Sequence, residues 1–230
     1  MTLHRFFVPA ETMDGERFPM PEPIRHQVRT VLRLTDGDLI VLLSGDGSEA
    51  RCRITDGECV VERRGRARGE PAHRLRIIQA VLKGDALEEV VARGTEVGVT
   101  EFALVVTDRC VVRELSARRL ERLRTIARES AEQSERGIVP PVREPTPLDR
   151  RMTPDVVLLF ERAEAEPRLG DLEPPAGLLI GPEGGFTPAE VARARAAGVT
   201  VAGLGPRILR SQTVAPVAAA IVLSRTGDFA

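Results

Sequence analysis

The sequence predicts an α/β protein in which a small β-barrel precedes a larger domain built on a parallel sheet. Residues 1 to about 70 contain short apolar or alternating runs separated by tight-turn signals. Residues 71–230 instead alternate near-continuous aliphatic runs with helical patterns, as a parallel sheet covered on both faces requires. Between them, RRGRARGE at Arg63–Glu70 has no apolar residue except Ala67, which predicts a linker.

The barrel segment combines short strands with one helix. In LIVLLSGDGSEARCRITDGECVVERR, the apolar runs are broken at Gly45–Gly47 and at Asp56-Gly57, a dipeptide that favours a two-residue hairpin turn. Upstream, PEPIRHQVRTVLRL has helical periodicity. The apolar stripe of that predicted helix consists of Ile24, Val28, Val31 and Leu32.

In the larger domain, five aliphatic runs are predicted as buried strands. They cover residues 76–82, 102–106, 155–160, 177–181 and 199–205. Because ligands of open α/β sheets bind at the carboxyl ends of the strands, the segments that follow these runs are the candidate site.

Start and stop signals predict the helices between these strands. Capping boxes occur at Asp85–Glu88 and at Thr187–Glu190, and Gly98 can end the first of the two helices. Ser116 can cap a longer helix that continues through Gln133. The last stretch, TVAPVAAAIVLS, is apolar all round, which predicts a helix buried in the sheet core or against a partner subunit.

Composition excludes several classes of protein. With 33 basic and 34 acidic residues the net charge is −1, so the chain is not a polybasic nucleic-acid arm. Three cysteines without C-x-x-C spacing argue against a disulfide framework or a zinc site, and we expect no metal. The longest apolar run, 214–223, is about half of the ~20 residues that a membrane helix needs. We therefore expect a cytoplasmic protein that does not enter membranes.

Lys83 is the only lysine among the 33 basic residues. A coding bias toward arginine would replace lysine wherever either residue serves, so a surviving lysine is a candidate for chemistry that a guanidinium cannot do. It directly precedes the capping box at Asp85, at the predicted ligand edge of the sheet. It could meet an RNA phosphate or a substrate oxygen, or simply neutralise the helix cap.

The first candidate loop is IGPEGGFT, which leads from a buried strand into a capped helix. Its three glycines allow the backbone to approach a ligand closely, and Pro182 stiffens the turn. Glu183 would repel a pyrophosphate, so the loop suits a neutral or cationic ligand better than a dinucleotide. A plain turn with a surface glutamate is the weaker alternative.

The second candidate loop is GLGPRILRSQT, which again follows a strand. Arg207 and Arg210 are three residues apart and could clamp a phosphate or a developing oxyanion. The pattern equally allows a structural role, in which Ser211 or Thr213 caps the last helix and the arginines are solvated.

Taken together, the two loops resemble the cofactor loops of the SPOUT superfamily of trefoil-knotted, S-adenosylmethionine-dependent RNA methyltransferases. Within that superfamily the chain resembles the bacterial family that methylates N3 of a uridine in 16S ribosomal RNA. The resemblance covers nearly the whole chain. Its motifs are HRFFV at His4–Val8, HQVRTVLRLTDGD at His26–Asp38, Lys83 followed by TEVGV at 95–99, AEQSER at 131–136, LLIGPEGGFT at 178–187 and LGPRILRSQT at 204–213.

The resemblance implies a PUA-like, RNA-holding barrel at residues 1–70 and a knotted, cofactor-binding α/β domain at residues 71–230. It also implies a homodimer that acts on 16S ribosomal RNA in the small ribosomal subunit. The cofactor contacts it implies for S-adenosylmethionine are Leu159, Gly181, Pro182, Glu183, Gly184, Gly185, Leu204, Gly205, Ile208, Leu209 and Arg210.

Catalytic and RNA-contact roles follow as hypotheses. Arg210 would stabilise the uridine anion or fix a phosphate, and Glu183 would act as base or as partner of the sulfonium, unless it only orders its loop. The candidate RNA contacts are Arg5, Arg25, Arg29, Arg33, Lys83 and Arg136.

The chain departs from the family motif at one place. The family commonly has Leu-Arg-Thr-Glu-Thr-Ala where this chain has Leu-Arg-Ser-Gln-Thr-Val at 209–214. Ser211 keeps the hydroxyl, whereas Gln212 loses a charge. Two alternatives therefore stay open: a non-catalytic RNA-binding or assembly protein with a decayed pocket, and a methyltransferase acting on a ribose 2′-hydroxyl.

Overall fold

The structure is a computed structural model that describes residues 3–163 and 166–229. The chain divides into two compact units. The first comprises residues 1–70 together with 131–139, and the second comprises residues 71–130 together with 140–230. Across the described residues no helix is long and apolar enough to cross a membrane.

The first unit is built on a five-stranded sheet with the strand order β1-β3-β4-β5-β2. Strands β1 and β3 pair in parallel, and the other pairs are antiparallel. Its elements are β1 (His4–Phe7), β2 (Arg17–Pro19), α1 (Glu22–His26), β3 (Leu39–Leu43), β4 (Ser48–Thr55) and β5 (Glu58–Arg66). The predicted helix is present, with a π-helical turn at Gln27–Val31 directly after α1.

The core of the first unit is aliphatic and contains two thiols. Cys52 and Cys59 are fully buried beside Ile40, Leu42 and Ile54. Burial raises the pKa of the Cys52 thiol to about 12 and that of Cys59 to about 11. Both thiols therefore stay protonated at physiological pH and act as small apolar side chains.

The linker prediction for Arg63–Glu70 is wrong in its first half. Strand β5 continues to Arg66 and pairs with β4 as far as the register Ser48↔Arg66. Strand pairing uses main-chain groups, so exposed arginine side chains do not prevent it. Arg64 also donates hydrogen bonds to the carbonyls of Met13 and Gly15, at 2.6 Å each.

Glu70 joins residues 131–139 to the rest of the first unit. Its Oε1 accepts hydrogen bonds from the backbone N–H groups of Gly137 and Ile138, each at 3.0 Å. Its Oε2 pairs with the guanidinium of Arg136 at 2.9 Å, and that arginine is only 1% exposed. A buried cation is tolerated because this carboxylate compensates it.

The second unit is a six-stranded, fully parallel sheet with the order β11-β9-β10-β6-β7-β8. Its strands are β6 (Arg76–Ala80), β7 (Glu101–Val106), β8 (Val142–Pro147), β9 (Val156–Leu159), β10 (Gly177–Ile180) and β11 (Thr200–Ala202). Its helices are α2 (Ala86–Val97), α3 (Ala117–Gln133), α4 (Pro188–Ala196) and α5 (Ser211–Arg225). The predicted α/β class is confirmed.

Most of the predicted helix signals are present in the structure. Ser116 Oγ accepts the N–H of Arg119, and Gly98 ends α2 in the left-handed region at φ 107°. The Thr187 capping box forms completely with Glu190. The capping box predicted at Asp85 is wrong, because that side chain makes no cap hydrogen bond.

Strand β8, with the sequence VREPTP, was missed because it is an edge strand. Two prolines and two charged residues in six positions give no aliphatic run. Prolines are tolerated at a sheet edge, where one side of the strand needs no hydrogen-bond donors.

Candidate active site

A cavity of about 680 Å³ opens at the carboxyl edge of the parallel sheet in the second unit. It lies where β11, β9, β10 and β6 end, four strands that are neighbours in the sheet. This is the place at which open α/β sheets bind ligands. The volume falls within the range of about 300–1,000 Å³ that is usual for small-molecule sites.

The cavity wall comes from four chain segments, one after each of these strands. The lining residues are Lys83, Ala86, Leu159, Phe160, Glu161, Arg162, Ile180, Gly181, Pro182, Glu183, Gly184, Gly185, Phe186, Leu204, Gly205, Arg207, Ile208, Leu209, Arg210, Ser211, Gln212 and Val214. All eleven residues predicted as cofactor contacts line it, and so does Lys83. The two glycine-rich loops, distant in sequence, thus form one cavity.

The first glycine-rich loop, residues 181–186, is held rigidly by its neighbours. Arg109 donates from one guanidinium nitrogen to the carbonyls of Gly184, at 2.8 Å, and Phe186, at 3.3 Å. Gly185 has φ 67°, and a Cβ there would lie 2.6 Å from Glu161 Oε1. The left-handed backbone conformation favours glycine at this position, whereas the Glu161 carboxylate lies at the end of a flexible side chain and could move away from a Cβ.

A buried hydrogen-bond cluster connects the two loops beneath the cavity. The Gln79 side-chain amide donates to the Gly181 carbonyl at 3.3 Å and to Ser211 Oγ at 3.0 Å. Ser211 Oγ in turn donates to the same Gly181 carbonyl at 2.6 Å. Ser211, one of the residues at which the chain departs from the family motif, therefore uses its hydroxyl to join the second loop to the first.

Lys83 lies in a turn that is fixed on both sides. Its backbone N–H donates to Glu183 Oε1 at 3.1 Å. Arg119 donates to the carbonyl of Leu82 at 3.0 Å and to that of Gly84. The turn that carries the single lysine is therefore attached to the first glycine-rich loop and to α3.

The second loop carries Arg210 directly before α5. The backbone carbonyl of Arg210 accepts the N–H groups of Thr213 at 2.8 Å and Val214 at 3.1 Å, which starts the helix. Its side chain is exposed and lines the cavity. Gly205, at φ 107°, takes the left-handed conformation that lets the loop turn back.

The charged groups of the cavity are not neutralised by one another. Among the described residues, no ion pair involves Lys83, Glu161, Glu183, Arg207 or Arg210. With Arg162, which also has no ion pair among the described residues, two carboxylates and four cations line one mainly apolar cavity with their charges available to a ligand. No group of three or more potential metal ligands occurs in the part of the chain that the structure describes.

Sequence reasoning missed the segment after β9. Phe160, Glu161 and Arg162 line the cavity, yet only Leu159 was predicted from this strand. The rule that found the two glycine-rich loops applies here as well, because these residues follow a strand predicted at 155–160. Without glycines, however, the segment carries no motif.

Three of the predicted RNA contacts lie at the surface of the first unit. Arg33 is exposed, and no ion pair involves it among the described residues. Arg25 pairs with Glu22 at 2.9 Å, and Arg29 pairs with Asp36 at 3.2 Å. Such pairs at a surface are weak, so these side chains can be redirected to a phosphate.

The other two predicted contacts in the first unit are bound within it. Arg5 pairs with Glu49 at 2.9 Å and with Glu135 at 2.8 Å, and its side chain is 13% exposed. Arg136 is buried against Glu70. Both charges are therefore paired within the unit, and the predicted RNA contact of these two arginines stays a prediction that would require their ion pairs to open.

Comparison with known protein families places this cavity in context. Residues 69–223 match the profile of the RNA methyltransferase domain, and residues 28–62 match that of the RNA methyltransferase PUA domain. A ribosomal RNA small subunit methyltransferase E from Bacillus subtilis is 34% identical over 221 residues, which cover 86% of each chain. The chain belongs to the ribosomal RNA small subunit methyltransferase E family.

Further members of this family agree in sequence and in fold. The methyltransferase E of Mycobacterium bovis is 35% identical, over 82% of this chain and 79% of its own. The crystal structure of the methyltransferase E of Neisseria gonorrhoeae, bound to S-adenosylmethionine, superposes with a TM-score of 0.88 at 28% identity. That match covers 97% of this chain and 98% of the other.

Proposed function

We propose that this protein transfers a methyl group from S-adenosylmethionine to N3 of a uridine in small-subunit ribosomal RNA. One observation carries the proposal: two glycine-rich loops, within the segment that matches the RNA methyltransferase domain, form a single cavity that holds Glu183 and Arg210. The assignment of N3, and of uridine, comes from the resemblance of the loops and the surrounding motifs.

The cavity fits S-adenosylmethionine in size and in charge. Its wall is mainly apolar, which suits an adenine ring, and Glu161 and Glu183 can face the positive charges of a sulfonium and an amine. Glycines at 181, 184 and 185 let main-chain groups approach the ligand directly. We propose that these loops and Leu159 hold the cofactor.

The bound cofactor would supply an electrophilic methyl group on a sulfonium. Uracil N3 carries a proton and is a poor nucleophile until that proton is lost. The protein must therefore accept this proton, stabilise the charge that develops on O2 and O4, or do both. We assign charge stabilisation to Arg210 and the proton or the sulfonium to Glu183, since both side chains line the cavity without an ion pair among the described residues.

Substrate RNA needs contacts beyond the cavity. We propose that the first unit helps to hold the RNA and that Arg25, Arg29 and Arg33 contribute phosphate contacts there, with Lys83 contributing at the cavity. A net charge of −1 predicts weak affinity for naked RNA, so the assembled small subunit is the expected substrate. As the resemblance implies, we also propose a homodimer.

The test incubates the purified chain with methyl-labelled S-adenosylmethionine and small ribosomal subunits that lack the modification. Label on uridine N3 is the expected result. Label on a ribose would replace the proposed reaction by 2′-O methylation, and no label would indicate a binding protein with a decayed pocket. Deproteinised RNA serves as the second substrate, and equal turnover of both would contradict the preference for the particle.

A further inference from the structure

We propose that Gln79 is a positioning residue for the cofactor, which holds the two glycine-rich loops in their binding arrangement before the cofactor arrives. This inference rests on the proposed function, because it concerns the affinity of the same cavity for S-adenosylmethionine. Gln79 is not itself in the cavity wall. It acts through Gly181 and Ser211, which are.

Gln79 is an exception in its surroundings. It is fully buried in β6, between Ile77, Ile78 and Ala80, in a strand that lies between two others. A buried amide is costly unless its hydrogen bonds are satisfied. Yet Gln79 Oε1 has no hydrogen-bond partner among the described residues. A leucine or methionine would fill this position without that cost, so the amide must serve another purpose.

Its hydrogen bonds identify that purpose. The amide nitrogen lies 3.0 Å from Ser211 Oγ, 3.2 Å from the carbonyl of the neighbouring Ala80 and 3.3 Å from the Gly181 carbonyl, so its two hydrogens serve three acceptors. Gly181 is the first residue of one loop, and Ser211 follows Arg210 at the end of the other. Ser211 Oγ donates to the Gly181 carbonyl as well, at 2.6 Å, so three groups from three elements close a triangle. Gly181 and Ser211 are thirty residues apart in the chain.

The triangle positions the parts of the two loops that line the cavity and would contact the cofactor. A carbonyl held by two donors fixes the plane of its peptide group, and this peptide leads into Pro182 and Glu183. At its other corner, Ser211 is the first residue of α5 and sets the position of Arg210. Loss of the triangle would let the loops separate, and cofactor binding would then have to order them again at the cost of affinity.

The triangle accounts for one part of the departure from the family motif, the serine at position 211. The hydroxyl of Ser211 is the group that the triangle uses, and a threonine would supply the same group. Replacement of threonine by serine therefore preserves the cluster. The serine at position 211 therefore does not by itself indicate a decayed pocket.

The experiment measures the Kd of S-adenosylmethionine for the full chain by calorimetry, together with KM and kcat on small subunits. Gln79→Met keeps the volume but removes the amide, and Ser211→Ala removes the hydroxyl. We expect both to raise Kd and the KM for the cofactor about tenfold or more, with kcat at saturating cofactor within about threefold of wild type. Ser211→Thr, which keeps the hydroxyl, should bind S-adenosylmethionine with the Kd of the wild type.

A matched control separates positioning from general destabilisation. Thr100 Oγ1 donates to the Leu75 carbonyl at 3.0 Å, and Thr100 precedes β7 at the opposite edge of the sheet from the cavity. Thr100→Val should lower Tm without changing the cofactor Kd. The double variant Gln79→Met/Ser211→Ala should bind no more weakly than the weaker single variant, because both remove the same triangle.

The outcomes distinguish the two proposals. Wild-type protein that fails to bind S-adenosylmethionine would overturn the proposed function. Wild-type binding together with unchanged Kd in Gln79→Met would overturn the positioning role alone. An equal rise of Kd in Thr100→Val and Gln79→Met would also overturn it, since the effect would then be one of stability.

Discussion

The charges of the first unit and those of the cavity in the second are used in opposite ways. In the first unit Arg5 and Arg136 are bound by carboxylates at 2.8–2.9 Å and are largely removed from solvent. In the second unit Glu183 and Arg210 both line the cavity, and no ion pair involves either of them among the described residues. The presence of an arginine therefore does not by itself indicate a functional site. An arginine paired with a carboxylate stabilises the fold, whereas one without such a pair can bind a ligand.

The largest expected effect tests whether the buried ion pair between Arg136 and Glu70 stabilises the first unit. Glu70→Ala removes the carboxylate that pairs with the buried guanidinium of Arg136 and also removes the acceptor for two backbone N–H groups. We expect the free energy of unfolding to fall by about 3–5 kcal/mol. Urea unfolding measures it, and Glu22→Ala, which breaks an exposed pair with Arg25, should cost less than about 1 kcal/mol. Equal effects would remove the distinction between the two kinds of pair.

The second-largest effect tests whether Arg210, which has no ion pair among the described residues, takes part in methyl transfer. Arg210→Ala should reduce methyl transfer by about 10²-fold or more, because it removes a group that stabilises developing charge. Since no ion pair involves Arg210 among the described residues, Tm should change by less than about 2 °C. Arg118, exposed on α3, gives the control, and Arg118→Ala should leave turnover unchanged. Near-normal turnover of Arg210→Ala would end the role assigned to it.

A pH effect of intermediate size reports on the core of the first unit. Burial raises the pKa of Cys52 to about 12 and that of Cys59 to about 11, whereas the unfolded thiols ionise near 9. The unfolded state therefore loses these thiol protons first as pH rises, so the contribution of the two thiols to stability is constant below about pH 9 and falls above it. Each pH unit above 9 costs about 1.4 kcal/mol per thiol. Urea midpoints from pH 7 to 10.5 measure it, with Cys59→Ala expected to flatten the slope.

The smallest effect concerns the exposed arginines of the first unit. Arg33→Gln should weaken binding to the small subunit by a few-fold and lower the slope of log K against log salt by about 0.7–0.9. Arg5→Gln should instead lower stability and leave that slope unchanged, because its charge is already paired. Filter binding at several salt concentrations distinguishes them. A slope change in Arg5→Gln would show that its ion pairs open for RNA.

Periodicity and turn signals predicted the features of the fold that depend on local sequence. The five aliphatic runs are strands, and Ser116 and Thr187 begin helices as expected. Strand β8 and the end of β5 were missed because main-chain pairing, not side-chain pattern, forms them. The trefoil knot, which the resemblance alone implies, stays a prediction.

The sequence predicted the part of the candidate site that the two glycine-rich loops form, because those loops carry recognisable motifs. Glu161 joins the cavity from a segment without glycines, and the connection of Gln79 to Ser211 spans 132 positions of the chain. A pattern of neighbouring residues cannot predict a contact between residues so far apart in the chain. The ion pairs of Arg5 and Arg136 could not be predicted either. Their acidic partners are distant in sequence, and only the fold of the first unit brings them close.

Glu70 and its contacts with residues 131–139 have a consequence for synthesis on the ribosome. Ala131 belongs to the same hydrophobic cluster as Phe7, Val41 and Leu43, so the first unit lacks part of its core when residue 70 emerges. At about 5–20 residues per second, the remaining stretch takes several seconds to be made. A nascent chain halted near residue 100 should thus stay sensitive to protease, and one extended well past residue 139 should become resistant.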